Sequence, residues 1–211
     1  MWQVTVQPKE GIPDHWVIFI QGEKWCDVHR SVFGKHPSFS PVSSWEEWQK
    51  NFNQVEYQRV KNYVIWRLSS QSYHSEQLSK LLKERLVQKE TIIKILQDCQ
   101  QWGYLNDEQW VQLFMKTHQS RYSLRLILIK LRQKGLKPDT LEQIAQSWHQ
   151  PKKELAAIQQ LISKKYCSKN LKDFKERQKV VAALIRKGFQ YDQVSQVLKT
   201  RDSLENDSFN L

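Results

Sequence analysis

Leu131-Arg132-Gln133-Lys134-Gly135-Leu136, followed by Pro138-Asp139-Thr140-Leu141 and Ile144, is the stretch that decides the fold, because the chain repeats it. It returns as Leu184-Ile185-Arg186-Lys187-Gly188-Phe189, then Tyr191-Asp192-Gln193-Val194 and Val197. With more drift it also comes earlier, as Leu82-Lys83-Glu84-Arg85-Leu86-Val87, then Lys89-Glu90-Thr91-Ile92 and Ile95. Recurrence at about fifty residues marks stacked supersecondary units, which work through extended surfaces more often than through deep clefts. In each phrase a helix stops and the next begins within a few residues. Glycine makes such a stop cheap because it accepts a left-handed backbone. The earliest phrase has Leu86 where the others have Gly135 and Gly188, so that junction is expected to end differently or less tightly.

Working outward, the apolar spacing gives three helices per repeat and three repeats. The expected fold is mainly α: three tandem three-helix repeats with a small N-terminal β-hairpin extension. The expected divisions are 1–44 for the hairpin and connector, 45–105 for the first repeat with its leading helix, 106–150 for the second and 151–200 for the third. Residues 201–211 are polar and partly acidic and are expected to be a disordered tail. Trp2, Val4 and Val6 alternate with polar residues, Trp16 to Ile20 is rich in β-branched and aromatic residues, and Trp25 to Val28 reads as a short third strand. Ser43 or Ser44 can cap the first long helix, and Asn106 or Asp107 a later one, with Trp110, Leu113 and Phe114 inward.

The 211 residues carry 33 Lys+Arg against 22 Asp+Glu, a formal net charge of +11. This exceeds the magnitude of about 2 to 8 that solubility asks of a small domain, and favours a polyanionic partner or an acidic protein surface. Cys26, Cys99 and Cys167 are scattered and form no Cys-x-x-Cys pair, as expected of reduced thiols in a cytoplasmic protein. No apolar run approaches the roughly 20 residues of a membrane span, and Met1 to Val6 does not read as a secretion signal.

The sequence shows no Gly-Lys-Ser/Thr phosphate loop, no Gly-x-Gly-x-x-Gly and no Gly-x-Ser-x-Gly elbow. His15, His29, His36, His74, His118 and His149 have no metal-ligand spacing. Cys26 with His29 and His36 lacks a fourth zinc ligand. Asp107-Glu108 suits a helix N-terminus better than general acid/base chemistry. Trp2, Trp16, Trp25, Trp45 and Trp48 are expected to build a core between hairpin and helix rather than to stack on bases. Trp66, Trp102, Trp110 and Trp148 are expected mostly in helix packing. The candidate binding residues are therefore basic. Lys164 and Lys165 follow an apolar stripe. Lys172, Lys175, Lys179 and Arg186 recur at helical steps opposite Val181 and Leu184, with Glu176 diluting the face. Arg121, Arg125 and Arg132 form a looser set in the second repeat. Such rows suit phosphates, with little sequence selectivity.

From Tyr57 to Lys199 the chain resembles the bacterial RecX regulatory proteins. The matching phrases are Val64-Ile65-Trp66-Arg67-Leu68-Ser69, Ser75-Glu76-Gln77-Leu78, Gly103-Tyr104-Leu105-Asn106-Asp107-Glu108, Leu131 to Leu136, and Arg186-Lys187-Gly188-Phe189. Gly-Tyr-Leu-Asn-Asp followed by an apolar helix and Lys-Gly is the most specific of these. The hairpin looks like the extension of the longer members. Arg121-Tyr122-Ser123 stands where the family usually has a glycine, so that helix start is expected to differ. The resemblance implies an all-helical body of three-helix repeats and binding to the RecA recombinase filament on single-stranded DNA. It also implies inhibition of strand exchange and of RecA's ATP hydrolysis, in DNA repair and the SOS response, with no catalysis and no cofactor of the protein's own. A monomer is expected. The alternative is a general basic helical-repeat nucleic-acid-binding protein without a RecA partner.

Overall fold

The computed structural model describes residues 1–148 and 150–207. It is 63% helical, with ten helices among these residues and a three-stranded antiparallel sheet at the N-terminus. Two compact units divide it, Met1–Trp110 and Val111–Leu211.

In the first unit β1 (Val4–Pro8), β2 (His15–Ile20) and β3 (Glu23–His29) form a meander in that order. The expected hairpin thus gains its third strand. The turns need left-handed backbone, supplied at Asp14, Gln21 and Gly22. A short helix, α1 (Arg30–Phe33), leads through the connector to the 26-residue α2 (Trp45–Ser70). Ser44 caps α2 by accepting from the Glu47 N–H at 3.2 Å, and Glu47 accepts in return from the Ser43 N–H at 2.7 Å. Trp25 on β3 lies edge-on to Trp45, Trp48 and Phe52 of α2, with ring centroids 6.2, 5.1 and 4.5 Å away. Phe33 and Phe39 close this core. The N-terminal tryptophans therefore hold sheet to helix. Burial pushes the Cys26 thiol up to about 12, helped by Glu56 and Asp27 nearby. Among the described residues no three His, Cys, Asp or Glu side chains gather as a metal site; His149 lies outside them.

The first unit continues with α3 (Ser75–Glu84) and α4 (Lys89–Gln101). Val60, Val64, Leu78, Leu82 and Ile95 are fully enclosed between these helices. Trp66 and Trp102 are not: they are 61% and 42% exposed, against the expectation of helix packing. On α2, Trp66 lies on a different side from Val60 and Val64, so a helical period alone did not make it a core residue. Glu56 of α2 is buried, accepts from the Gln88 N–H at 3.2 Å and takes the Thr91 hydroxyl as a second donor. It thereby caps α4, whose own N-cap side chain makes no such bond. Burial raises the Glu56 carboxyl above its ordinary range. A raised folded-state value means that the fold favours the protonated form, so this contribution is full below the unfolded value of about 4.3 and is lost as pH rises through the folded value. Glu56→Gln is expected to match or exceed wild-type stability at pH 8, with the difference shrinking towards pH 4. Thermal melts of both proteins across that range check it.

The α3–α4 junction corrects the expectation for Leu86. The chain stops α3 in the same way that it stops the corresponding helices later on. Leu86 takes φ +59°, beside +100° at Gly135 and +89° at Gly188. The closing hydrogen bonds match: Leu86 N–H to the Lys83 carbonyl and Val87 N–H to Leu82, as Gly188 N–H to Ile185 and Phe189 N–H to Leu184. Packing of the buried Val87 imposes the turn even without glycine. A left-handed leucine costs roughly 1–2 kcal/mol. Leu86→Gly is therefore expected to stabilise the first unit by about 0.5–1 kcal/mol, after allowance for glycine's greater freedom in the unfolded chain. Denaturant midpoints measure the gain, and a destabilised variant would show that the leucine side chain outweighs its strain.

α5 (Asp107–His118) leads into α6 (Leu124–Gln133), α7 (Pro138–Trp148), α8 (Pro151–Lys165), α9 (Phe174–Arg186) and α10 (Tyr191–Asp207). Pro138 and Pro151 stand at helix starts, where the missing N–H costs nothing. In the second unit Ile158, Ile162, Leu184, Val194 and Leu198 are buried together. α10 runs on through 201–207, where a disordered tail was expected, and Arg177 Nη1 meets Asp202 at 2.8 Å. Residues 208–211 of that expected tail lie outside the described residues. Leu113 is 60% exposed rather than inward, and Met115 is buried instead.

Candidate nucleic-acid interface

One device recurs where helices start. The first backbone N–H of α3, at Ser75, donates to Asp107 of α5 at 2.6 Å, and the Ser75 hydroxyl donates to the same carboxylate. The first N–H of α6, at Leu124, donates to Glu154 of α8 at 2.8 Å. Each acid sits in the first turn of the helix opening the next repeat and serves an orphan N–H of a different helix. Asn106, not Asp107, caps α5, by accepting from the Gln109 N–H at 2.8 Å.

The start of α6 is where the basic residues converge. Ser123 is its N-cap, accepting from the Leu126 N–H, while its own N–H donates to the Lys187 carbonyl at 3.1 Å. This bond draws the α9–α10 turn onto the beginning of α6. Gly188 allows it: a Cβ there would strike the Ser123 hydroxyl and sit 2.8 Å from Leu126 Cβ. Ser123, the last residue of the Arg121-Tyr122-Ser123 stretch, is thus used both as cap and as donor.

Once docked, the turn places Lys187 against Tyr122. The Lys187 and Lys130 ammonium groups lie 4.9 and 4.8 Å from the Tyr122 ring centre. Lys187 also reaches the Arg121 carbonyl at 3.4 Å. The Tyr122 ring continues a ladder with His118, 6.1 Å away, and Phe114, another 4.0 Å on, the rings near parallel at 26° and 16°. Lys134 stands 5.8 Å from the Phe114 ring. Among the described residues none of these three lysines has a carboxylate partner. The result is a half-buried aromatic ladder edged by unneutralised cations, the pairing that single-stranded nucleic acid uses for bases and phosphates.

The expected binding residues are distributed differently. Lys175, Lys179 and Arg186 share the exposed face of α9, opposite the buried Val180, Val181 and Leu184. Lys172 does not lie on that helix. It precedes the N-cap Asp173, which accepts from the Glu176 N–H at 3.1 Å and ends the turn there. Glu176 partly neutralises the row, meeting Lys179 at 3.0 Å and Lys169 at 2.8 Å, and these lysines hold its carboxyl below the ordinary range. Lys164 and Lys165 are exposed at the end of α8. Arg125 and Arg132 lie on the outer face of α6, but Arg121 precedes the helix, in the turn after α5. The sequence reading missed Lys130, Lys134 and Lys187. Its available signal was the aromatic spacing of four at Phe114, His118 and Tyr122; the approach of Lys187 has no local trace.

Residues 152–198 match the family model for the third three-helix domain of RecX. A regulatory protein RecX from Caldanaerobacter subterraneus subsp. tengcongensis is 28% identical over 184 residues, covering 86% of this chain and 90% of the relative. The RecX of Streptococcus uberis is 30% identical over 154 residues, 70% of this chain and 57% of that longer protein. Two crystal structures share the fold. One of a regulatory protein RecX has TM-score 0.54 at 17% identity, covering 93% of this chain and 98% of that one. That of RecX from Lactobacillus salivarius has TM-score 0.55 at 18% identity, covering 69% and 96%. With a matching domain at one end, a relative along most of its length and the same fold in two solved structures, the chain is similar to the RecX regulatory proteins.

Proposed function

We propose that this protein binds the RecA filament on single-stranded DNA and inhibits its strand exchange and ATP hydrolysis without catalysing a reaction, as a cytoplasmic monomer that limits recombination during DNA repair. The observation that carries the reading is the cation-edged ladder of Phe114, His118 and Tyr122. Rings and lysines without counter-charges suit a stretched, unpaired strand better than a duplex, whose bases are hidden from stacking. The partner is the one that the similarity to RecX regulatory proteins suggests. Among the described residues no helix is long and apolar enough to cross a membrane.

The test is titration of the purified protein into RecA hydrolysing ATP on single-stranded DNA. Inhibition below one protein per RecA subunit is expected, with no ATP turnover by the protein alone. Undiminished hydrolysis, with retention of naked single-stranded DNA, would instead favour the basic repeat protein without a RecA partner.

A further inference from the structure

The outer face of α6 borders a second feature, a groove of about 870 Å³ within the second unit. Its floor is aliphatic: Leu124 and Leu128 of α6 with Leu141 and Ala145 of α7, and Ile129, 44% exposed, at the edge. The repeats show that this opening is particular. Leu141 corresponds to Ile92 in the first repeat and Val194 in the third, both buried, at 3% and 0% exposure. Leu128 corresponds to Val181, also buried. The first repeat has the half-exposed Ser79 at the position of Leu128, so the opening particular to the second repeat lies at Leu141, and only there do two aliphatic residues stay half-open together.

Arg125 and Arg132 stand on the rim, both exposed and both without an acidic partner among the described residues. Seven residues apart on α6, they are separated by about 10.5 Å along the axis, two helical turns. The one carboxylate in the lining, Glu154, is engaged by the Leu124 N–H and by Gln193 at 2.9 Å. A groove with an apolar floor and two forked cations at two-turn spacing is complementary to a helix bearing aliphatic residues on one face and carboxylates about seven residues apart beside them. Nucleic acid fits it poorly, because the floor offers no ring on which a base could stack.

We propose that the α6–α7 groove docks an acidic amphipathic helix on the protein component of the filament, while the Tyr122 ladder contacts DNA. The proposal rests on the RecA reading above and divides its two ligands between two surfaces. Docking leaves the arginines paired with carboxylates and removes the leucine floor from water, where exposed apolar surface is otherwise a liability.

The experiment compares three full-length proteins: wild type, Arg125→Glu/Arg132→Glu, and Lys130→Glu/Lys187→Glu. Each is tested by pull-down against RecA alone and against RecA assembled on single-stranded DNA, and against a fluorescent oligothymidine by anisotropy, with circular dichroism melts to establish folding. The groove variant is expected to lose RecA capture at least about 10-fold while its oligothymidine affinity stays within about two-fold of wild type. The ladder variant is expected to do the reverse. Ala145→Trp, which fills the groove without changing charge, should repeat the groove phenotype. RecA capture unchanged in both groove variants overturns the proposal, as does a fall in oligothymidine affinity equal to that of the ladder variant, which would make the groove a DNA surface. If wild type itself captures no RecA in either form, the RecA reading fails instead.

Discussion

Replacing Gly188 by valine is expected to lower the stability of the second unit by about 3–5 kcal/mol, the largest effect of any single surface-turn substitution proposed for this protein. Three costs combine. Gly188 holds φ +89°, a backbone that β-branched residues resist. The added Cβ meets the Ser123 hydroxyl and Leu126 Cβ, the latter at 2.8 Å, and Leu126 cannot yield because its backbone is the first turn of α6. Displacing the turn also breaks the bond from the Ser123 N–H to Lys187, a net loss of about 1 kcal/mol. At about 4 °C or more per kcal/mol, the melting temperature should fall by at least roughly 12 °C. Two controls separate the causes. Gly103 has a similar φ of +74°, and a Cβ added there would have nothing within 4 Å, so Gly103→Ala should cost only backbone strain, about 1 kcal/mol. Gly188→Ala carries the same strain plus the collision and should cost about 2 kcal/mol more. Lys152→Ala, on an exposed side chain, should stay within about 0.5 kcal/mol of wild type. Equal losses for the two alanine variants would show that the turn does not press on α6.

The second large effect concerns DNA. Lys130→Ala/Lys187→Ala is expected to weaken oligothymidine binding by roughly 25-fold at 0.1 M salt. If each lysine neutralises one phosphate, each contributes about 0.7 to the log–log salt slope on a single strand. Removing both ammonium groups at 0.1 M amounts to about 1.4 decades of affinity, and the slope should flatten by about 1.4. The loss should be the same for oligothymidine and oligoadenosine of equal length, because phosphate contacts carry no sequence information. By contrast, Lys179→Ala on α9 should change affinity less, since Glu176 already neutralises that lysine at 3.0 Å. Anisotropy titrations at four salt concentrations measure both numbers. An unchanged slope would mean that the two ammonium groups serve the Tyr122 ring and not phosphate.

Much of this molecule can be read along the chain. Helical periodicity and the thrice-repeated phrase are local properties, written in residues three and four apart, and they determine helices grouped in threes. The left-handed stop at Gly135 and Gly188 is equally local, because it depends on one residue's missing Cβ. The sheet was legible for the same reason: alternation and turn residues are short-range. Leu86 was not. It takes the glycine's conformation because the hydrogen bonds and the buried Val87 around it demand that turn, and tertiary packing outweighs a cost of one or two kcal/mol. The binding residues divide the same way. A helical period placed Lys175, Lys179 and Arg186 on one face, but it overran the helix at Lys172 because the N-cap Asp173 lay within the pattern. Lys187 meets Tyr122, and Glu154 caps Leu124, across 65 and 30 residues of chain. Those meetings depend on how the repeats dock, and no spacing within a single helix encodes them. The sequence therefore determined the repeats and their charge, while the stacking of the third repeat's turn on the second repeat's helix start, within the second unit, decided which of those charges stand together.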